Sequence, residues 1–425
     1  MKRIFTLVLL SLCLSSQLKA QEFTLDADIR PRFEYRHGFG SLFADNAEAA
    51  AFVTQRSRLN LGFKDEKLSL YFSVQDVSTW GDTQQLSALD DNKSFSLFQA
   101  WIRYAFTENW AMKLGRQTIS YDDQRILGEV DWAMQGRFHD AAMIQYSKNK
   151  FKLDLAFAYN QETQNTFGTD YTITGAFSYK TMQMAHLTKV WDKASVSFLL
   201  MNNGFQKYTG DPVPLTDGVY NRQTTGTYFT FPISALTIAG SAYLQTGKAN
   251  ASTDLSAYQY MVEAKYNPGK VTLIAGFESL SGTDQGGEEK NKSFFPLYGT
   301  NHKFNGYMDY FYVGNHANNV GLNDVYGKIA LTLGEKSMLG LNTHLFFANA
   351  EMANDLSQKL GTEVDLVFSK SIANYIKMNV GYSQLFATES MSSVKGGTSS
   401  DNTNNWGWVQ LIVNPRLLTY NFKQN

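Results

Sequence analysis

A closed, membrane-spanning, all-β antiparallel up-and-down barrel of about eighteen strands is the fold class this sequence predicts. Three observations predict it. Short segments alternate apolar and polar residues along most of the chain. The links between them alternate between a few residues and many, as the two unlike rims of such a barrel require. No stretch after the N-terminus approaches the ~18 consecutive apolar residues of a membrane helix.

The N-terminus comes first. Met1-Lys2-Arg3 is basic, residues 4–14 are apolar, and Leu18-Lys19-Ala20 precedes Gln21. This pattern reads as a secretory signal peptide (1–20) cleaved after about Ala20, leaving 21–425 as the barrel. The apolar core is too short to span a bilayer as a helix. Cys13 is the only cysteine, and Leu12 ahead of it argues against lipid attachment. The mature chain then has neither thiol nor disulfide.

The first strand is the clearest. Phe23, Leu25, Ala27, Ile29, Pro31, Phe33 and Tyr35 form one face, and Thr24, Asp26, Asp28, Arg30, Arg32, Glu34 and Arg36 the other. Successive side chains of a strand point to opposite faces, so one side is uncharged and the other nearly all charged. A soluble sandwich could show this once. Its recurrence at 53–64, 151–159 and 363–368 favours a barrel in lipid. Pro31 has no N–H to donate and suggests a bulge.

Long links are expected at about 37–52, 81–94, 122–139, 160–176, 203–221, 248–255, 281–320, 349–359 and 387–404. Short turns are expected at 65–67, 107–109, 148–150, 191–193, 232–235, 267–269, 334–336 and 371–374. Nine long and eight short links require eighteen strands, with both termini on the turn side. The strands near 177–190 and 320–333 are the weakest, which leaves sixteen open. A short helix at 44–51 folding inward is also expected. The forty-residue 281–320 segment is the best candidate for a lid.

Composition agrees. Charged residues are 18% of the chain and aromatics 14%, with 32 glycines and 7 prolines. Mean hydropathy is −0.30. Net charge is −1, and −4 once Lys2, Arg3 and Lys19 leave with the leader, which gives no support for nucleic-acid binding.

A barrel of ~16–18 strands leaves an aqueous interior, so its lining decides its role. Nine of the twelve arginines fall between 30 and 137. An arginine facing mid-bilayer lipid costs ~2–4 kcal/mol, so those on strands should face inward. Arg30, Arg32, Arg56, Arg58 and Arg103 lie on the polar phases of strands 1, 2 and 4. They should form a cationic patch on one wall. Guanidinium forks hold carboxylates in bidentate fashion, and arginine rings select anions. Interleaved Asp26, Asp28 and Glu34 could instead make an electroneutral ladder.

The segment Leu114-Gly115-Arg116-Gln117, Tyr121 to Gly128, Asp131-Trp132 and Gly136-Arg137 resembles the hallmark of the alginate-export family of outer-membrane porins. Gln55 to Leu59, Leu297 to Lys303 and Gly306 to Asp309 are similar to other segments of that family. The resemblance implies an eighteen-stranded outer-membrane barrel with an arginine-rich pore. By that resemblance Arg58, Arg116, Arg125 and Arg137 belong to the pore-side set, with Asp131 as local counter-ion. The founding exporter has a long periplasmic gating loop. Every turn here is short, so a gate must come from the loop side or from a partner.

Enzymatic chemistry finds little footing. His302, His316 and Asp309 share one loop without H-x-x-x-H or H-E-x-x-H spacing. His139-Asp140 has no G-x-S-x-G elbow near it. No catalytic residue, metal or cofactor is therefore assigned. Trp406 and Trp408 read as membrane-interface girdle residues.

The sequence thus predicts an outer-membrane channel for facilitated diffusion or export of anionic saccharides, or other small anions, through an arginine-lined pore. A nonspecific porin and a plugged binding or adhesion barrel remain alternatives. Expected partners are outer-membrane lipids and the anionic solute; a periplasmic export partner stays open.

Overall fold

The structure, a computed structural model, describes residues 21–86, 94–173, 175, 177–208, 215–287, 290–396 and 399–422. The expected signal peptide (1–20) and its cleavage site lie outside them. One antiparallel sheet closes on itself. Its strands are β1 (Gln21–His37), β2 (Ala50–Lys64), β3 (Leu68–Thr79), β4 (Phe95–Ala105), β5 (Trp110–Gln117) and β6 (His139–Lys148). They continue with β7 (Phe151–Tyr159), β8 (Thr181–Trp191), β9 (Ala194–Tyr208), β10 (Leu215–Ile233), β11 (Leu236–Lys248) and β12 (Asp254–Tyr266). Then follow β13 (Val271–Leu280), β14 (Leu322–Gly334), β15 (Ser337–Phe347), β16 (Lys359–Ala373), β17 (Ile376–Ala387), β18 (Asn404–Val413) and β19 (Arg416–Phe422).

β1 closes the barrel, pairing with β2 on one edge and with both β18 and β19 on the other. β18 and β19 are two halves of one last strand, separated by Asn414 and Pro415, where the proline has no N–H for the ladder. The barrel therefore has eighteen strands. The two weakest expectations, near 177–190 and 320–333, are the strands β8 and β14. The 203–221 link is mostly strand, because β9 runs to Tyr208 and β10 begins at Leu215.

Two local expectations fail. Pro31 pairs in register with Gln55, and the bulge sits at Leu25/Asp26, opposite the Pro415 break. There Pro415 accepts a bond from the Ala27 N–H at 3.2 Å, so the prolines meet the ladder through carbonyls. The 44–51 segment is not helical. Ala44–Ala47 closes a single turn, and β2 already begins at Ala50.

Alternation sorts the wall. Ile29, Phe33, Leu59, Phe72, Ile102, Tyr260, Leu273, Ile329, Leu366 and Val409 point outward and are exposed, as a lipid face demands. The opposite parity points inward. Trp406 and Trp408 belong to it, 0% and 5% exposed, and Trp406 Nε1 donates to Glu34 Oε2 at 3.0 Å. They are lumen residues rather than girdle residues: Val409 takes the lipid side of that strand.

The packed core lies inside the barrel. It is built by two loops, L3 (118–138) and L7 (281–321), folded in from the loop rim. L7 carries Phe294, Phe295, Leu297, Tyr298, Met308, Tyr310 and Phe311, all buried. L3 adds Ile119, Ile126, Leu127, Val130 and Met134. The loops join as a parallel bridge at Leu127 and Tyr298, with Tyr298 N donating to Ile126 O and Gly128 N to Tyr298 O, each at 2.9 Å. Gly299 permits that approach, since a Cβ there would lie 2.2 Å from Arg125 O. L7, expected as a lid, is thus an inward plug.

Candidate functional site: the charged lumen

The basic wall begins on β1 and β2. Arg30 grips Asp28 with Nε and Nη2, both at 2.7 Å, and reaches Asp131 Oδ2 with Nη1 at 2.7 Å. Arg56, fully buried, reaches Asp28 Oδ2 at 2.9 Å and Asp131 Oδ1 at 3.1 Å. Two arginines thus share two carboxylates, and the Asp131 side chain is half exposed. Burial pushes the Asp131 carboxyl up, but Arg30 and Arg56 outweigh it and hold it below the ordinary range.

Toward the loop rim, Arg32 Nε pairs with Glu34 Oε1 at 2.9 Å and lies over the Trp132 ring at 4.3 Å. Arg36 takes Glu34 Oε2 at 2.8 Å. These residues face a vestibule of about 480 Å³ shared with Trp132, Gln135 and Asp309. Three arginines of the expected patch, Arg30, Arg32 and Arg56, are thus neutralised by neighbouring acids, and so is Arg36 beside them, as the electroneutral ladder anticipates.

Farther along the wall the cations have no carboxylate in contact. Arg58 donates from Nε and Nη2 to Gln75 Oε1 at 3.1 and 2.6 Å, and its plane lies 3.8 Å from the Phe98 ring centre. Gln75 in turn donates to Gln135 O of L3 at 2.9 Å, which fixes the amide that orients Arg58. Arg103 donates to Gln145 Oε1 at 2.9 Å and borders a cavity of about 590 Å³ at the turn rim. Lys113, directly opposite Arg103 in the β4–β5 register, sits 4.1 Å from the Trp101 ring centre. Among the described residues none of these three makes a salt bridge. Lys113 escaped the sequence reading, although its parity with Ala111 and Gln117 places it inward.

Three arginines of the expected set lie elsewhere. Arg116 shares its face with Trp110, Met112 and Leu114, so it points outward near the loop rim, where it pairs with Asp140 at 2.9 Å. It is not in the pore. Arg125 is inside but crosses to the far wall, where it binds Glu278 at 2.7 and 3.0 Å along with Asn301 and Asn305. It fastens L3 to L7 and β13. Arg137 lies among the loops, 3.2 Å from Leu297 O and 4.2 Å from the Phe177 ring centre. Burial lowers its pKa, with Tyr312 and Tyr298 partly offsetting that.

That far wall is acidic. Glu263, Glu278, Asp324, Glu363 and Asp365 point inward from β12, β13, β14 and β16. His344 bonds Asp324 at 2.8 Å, and Tyr326 OH donates to Glu263 at 3.0 Å. Glu363 Oε1 accepts the Met308 N–H of L7 at 2.8 Å. Gly306 beside it has φ +84°, and a Cβ there would lie 2.5 Å from that oxygen. Asp123 of L3 faces this wall, and burial raises it to about 6 against the pull of Lys303. Lys328 and Lys303 share this wall, but its carboxylates outnumber its cations, so the lumen carries a transverse field toward Arg58, Arg103 and Lys113.

The histidines of L7 are structural. His302 bonds Asp309 at 2.8 Å and stacks on Trp132 at 4.5 Å, while His316 bonds Gly321 O at 2.8 Å.

A family model for alginate export matches residues 21–404. The chain belongs to the alginate-export family. Solved barrels share its architecture. A BenF-like porin from Pseudomonas fluorescens Pf-5 aligns over 93% of this chain and 99% of its own, with TM-score 0.62 and 12% identity. The outer-membrane protein opdK of Pseudomonas aeruginosa aligns over 94% and 99%, with TM-score 0.59 and 10% identity. OccK2 (OpdF) of Pseudomonas aeruginosa, solved in complex with glucuronate, aligns over 93% and 98%, with TM-score 0.58 and 11% identity. At such identities the likeness is one of fold.

A valine–tRNA ligase of Campylobacter jejuni is 26% identical over 144 residues, 32% of this chain, and the chain spans 16% of that curated relative. So short a shared stretch says nothing about what the barrel passes. This member of the alginate-export family is an outer-membrane β-barrel channel, with its short turns on one rim and its long loops on the other.

Proposed function

We propose that the channel passes small anionic saccharides by facilitated diffusion along the wall of β2, β4 and β5. The observation that carries this reading is the run of Arg58, Arg103 and Lys113, inward cations without carboxylate partners among the described residues. A solute carboxylate can replace its hydration there at successive weak sites, which favours entry without trapping. Arg30 and Arg56, already occupied by Asp28 and Asp131, would act as a narrow polar step rather than as free anion sites. OccK2, a barrel of the same architecture, is solved in complex with glucuronate, an acidic sugar.

The packing of L3 against L7 favours one second reading, a plugged barrel that binds rather than conducts. Liposome swelling separates the two. Proteoliposomes should swell faster in glucuronate than in glucose, with neutral counter-ion effects matched. Equal rates would indicate a nonspecific porin. No swelling in either sugar would indicate the plugged barrel.

A further inference from the structure

A crevice of about 470 Å³ lies apart from the pore wall, where L3, L7 and the loop L4 (160–180) meet at the loop rim. That volume is within the ~300–1,000 Å³ of small-molecule sites. Its charges are unevenly satisfied. Arg116 and Asp140 close on each other at 2.9 Å. The Glu162 carboxylate accepts the N–H groups of Thr172 and Ile173 at 2.8 and 3.1 Å. Arg137 makes no salt bridge among the described residues; it donates to Leu297 O, faces the Tyr312 hydroxyl, and rests its plane on Phe177.

Two more polar groups of the lining are idle. His139 Nδ1 meets Tyr179 OH at 2.8 Å, but among the described residues its Nε2 has no partner, and neither does the Tyr298 hydroxyl. These side chains are 3% and 1% exposed, and a buried polar group left unbonded costs ~1–3 kcal/mol. Asn160 and Gln161 add amides, while Tyr171 and Ile173 add apolar surface.

We infer that this crevice is an external capture site for one acidic sugar unit, whose carboxylate takes the Arg137 fork and whose hydroxyls take the idle groups beside it. The inference rests on the proposed acidic-saccharide cargo and deepens it. The site would raise the local concentration of solute at the outer mouth before the pore is entered. An arginine stacked on an aromatic ring is already oriented, so little rotamer freedom remains to be lost on binding.

Calorimetric titration of the full-length protein in detergent with glucuronate, with glucose as control, tests it. Binding is an equilibrium readout that needs no transport, so it fails or succeeds independently of the swelling assay. Wild type should bind glucuronate and not glucose. Arg137→Gln should weaken glucuronate by roughly tenfold or more, the loss of a charged hydrogen bond. Arg137→Lys should fall between the two, which a misfolded protein would not do, and heat-modifiable migration on gels verifies that each barrel is closed. Equal affinity for glucose and glucuronate, no binding by wild type, or Arg137→Gln binding like wild type would each overturn the inference.

Discussion

Arg125 and Gly306 show how single residues hold the lumen's shape. Arg125 is 2% exposed, and its partner Glu278 is as deeply buried. Arg125→Gln would leave that carboxylate unpaired, and breaking a buried pair costs ~3–5 kcal/mol. Because the pair fastens L3 to β13, the cost should appear as loosening of the plug rather than loss of the barrel. Limited proteolysis within L7, with the barrel still heat-modifiable, is the expected result; unchanged L7 protection would count against the anchoring role. Gly306→Ala should act on the same latch, since it adds ~1–2 kcal/mol of left-handed backbone strain and a contact with Glu363. Larger single-channel conductance is expected, and an unchanged open level would show that the Glu363 contact does not restrain L7. Parity made Arg30, Arg32, Arg56, Arg58 and Arg103 legible as inward residues from sequence. It should also have excluded Arg116: Lys113 and Arg116 are an odd number apart on one strand, and Met112 and Leu114 mark the outward face. What parity could not reveal was pairing, because Asp131 reaches Arg30 and Arg56 from a loop a hundred residues downstream of β1.

Strands were readable because their period is local, whereas the plug depends on contacts between distant loops. L7 announced itself only by its length; which way it folded was set by its bridge to L3. The short helix α1 (Glu389–Val394) caps the outer end of the plug. The following Lys395 donates from Nζ to Asn315 O at 2.8 Å and also to Tyr310 O. Burial pulls Lys395 down to about 7, and it pulls nearby His316 down to about 3, helped by the Lys395 charge. Both folded values lie below the unfolded ones, so the unfolded loops bind more protons. Stability from Lys395 therefore grows as pH rises from about 7 toward its ordinary value, and that from His316 grows from about 3 toward the usual imidazole range. Both are lost on acidification. Asp123, raised to about 6, works in the opposite sense, contributing below the usual carboxylate range and losing its contribution as pH rises through 6. Two groups against one predict that the 388–403 loop and the outer part of L7 exchange amide protons faster, relative to the barrel strands, at pH 5 than at pH 8. Equal normalised protection at both values would refute that coupling. Lys395→Met should remove most of the dependence above pH 7.

At the scale of the molecule, the eighteen strands set two unlike rims and two unlike walls. Only the basic wall was foreseen, because arginines crowd the first third of the sequence, while the acids of β12 to β16 are spread over a hundred residues. The field between the walls should pull solute anions toward β2, β4 and β5. Each uncompensated charge about 10 Å from the path in a water-like medium is worth ~0.4 kcal/mol, about a twofold change in local anion concentration. Three such charges together amount to about eightfold, and ordinary salt should screen part of it. The most direct test is the reversal potential of single channels in a planar bilayer under a tenfold potassium chloride gradient, for wild type and for the Arg58→Gln, Arg103→Gln, Lys113→Gln triple variant. The cationic-wall account predicts an anion-selective potential in wild type that collapses toward zero in the triple variant. A cation-selective wild type, or a triple variant with unchanged anion selectivity, would contradict it.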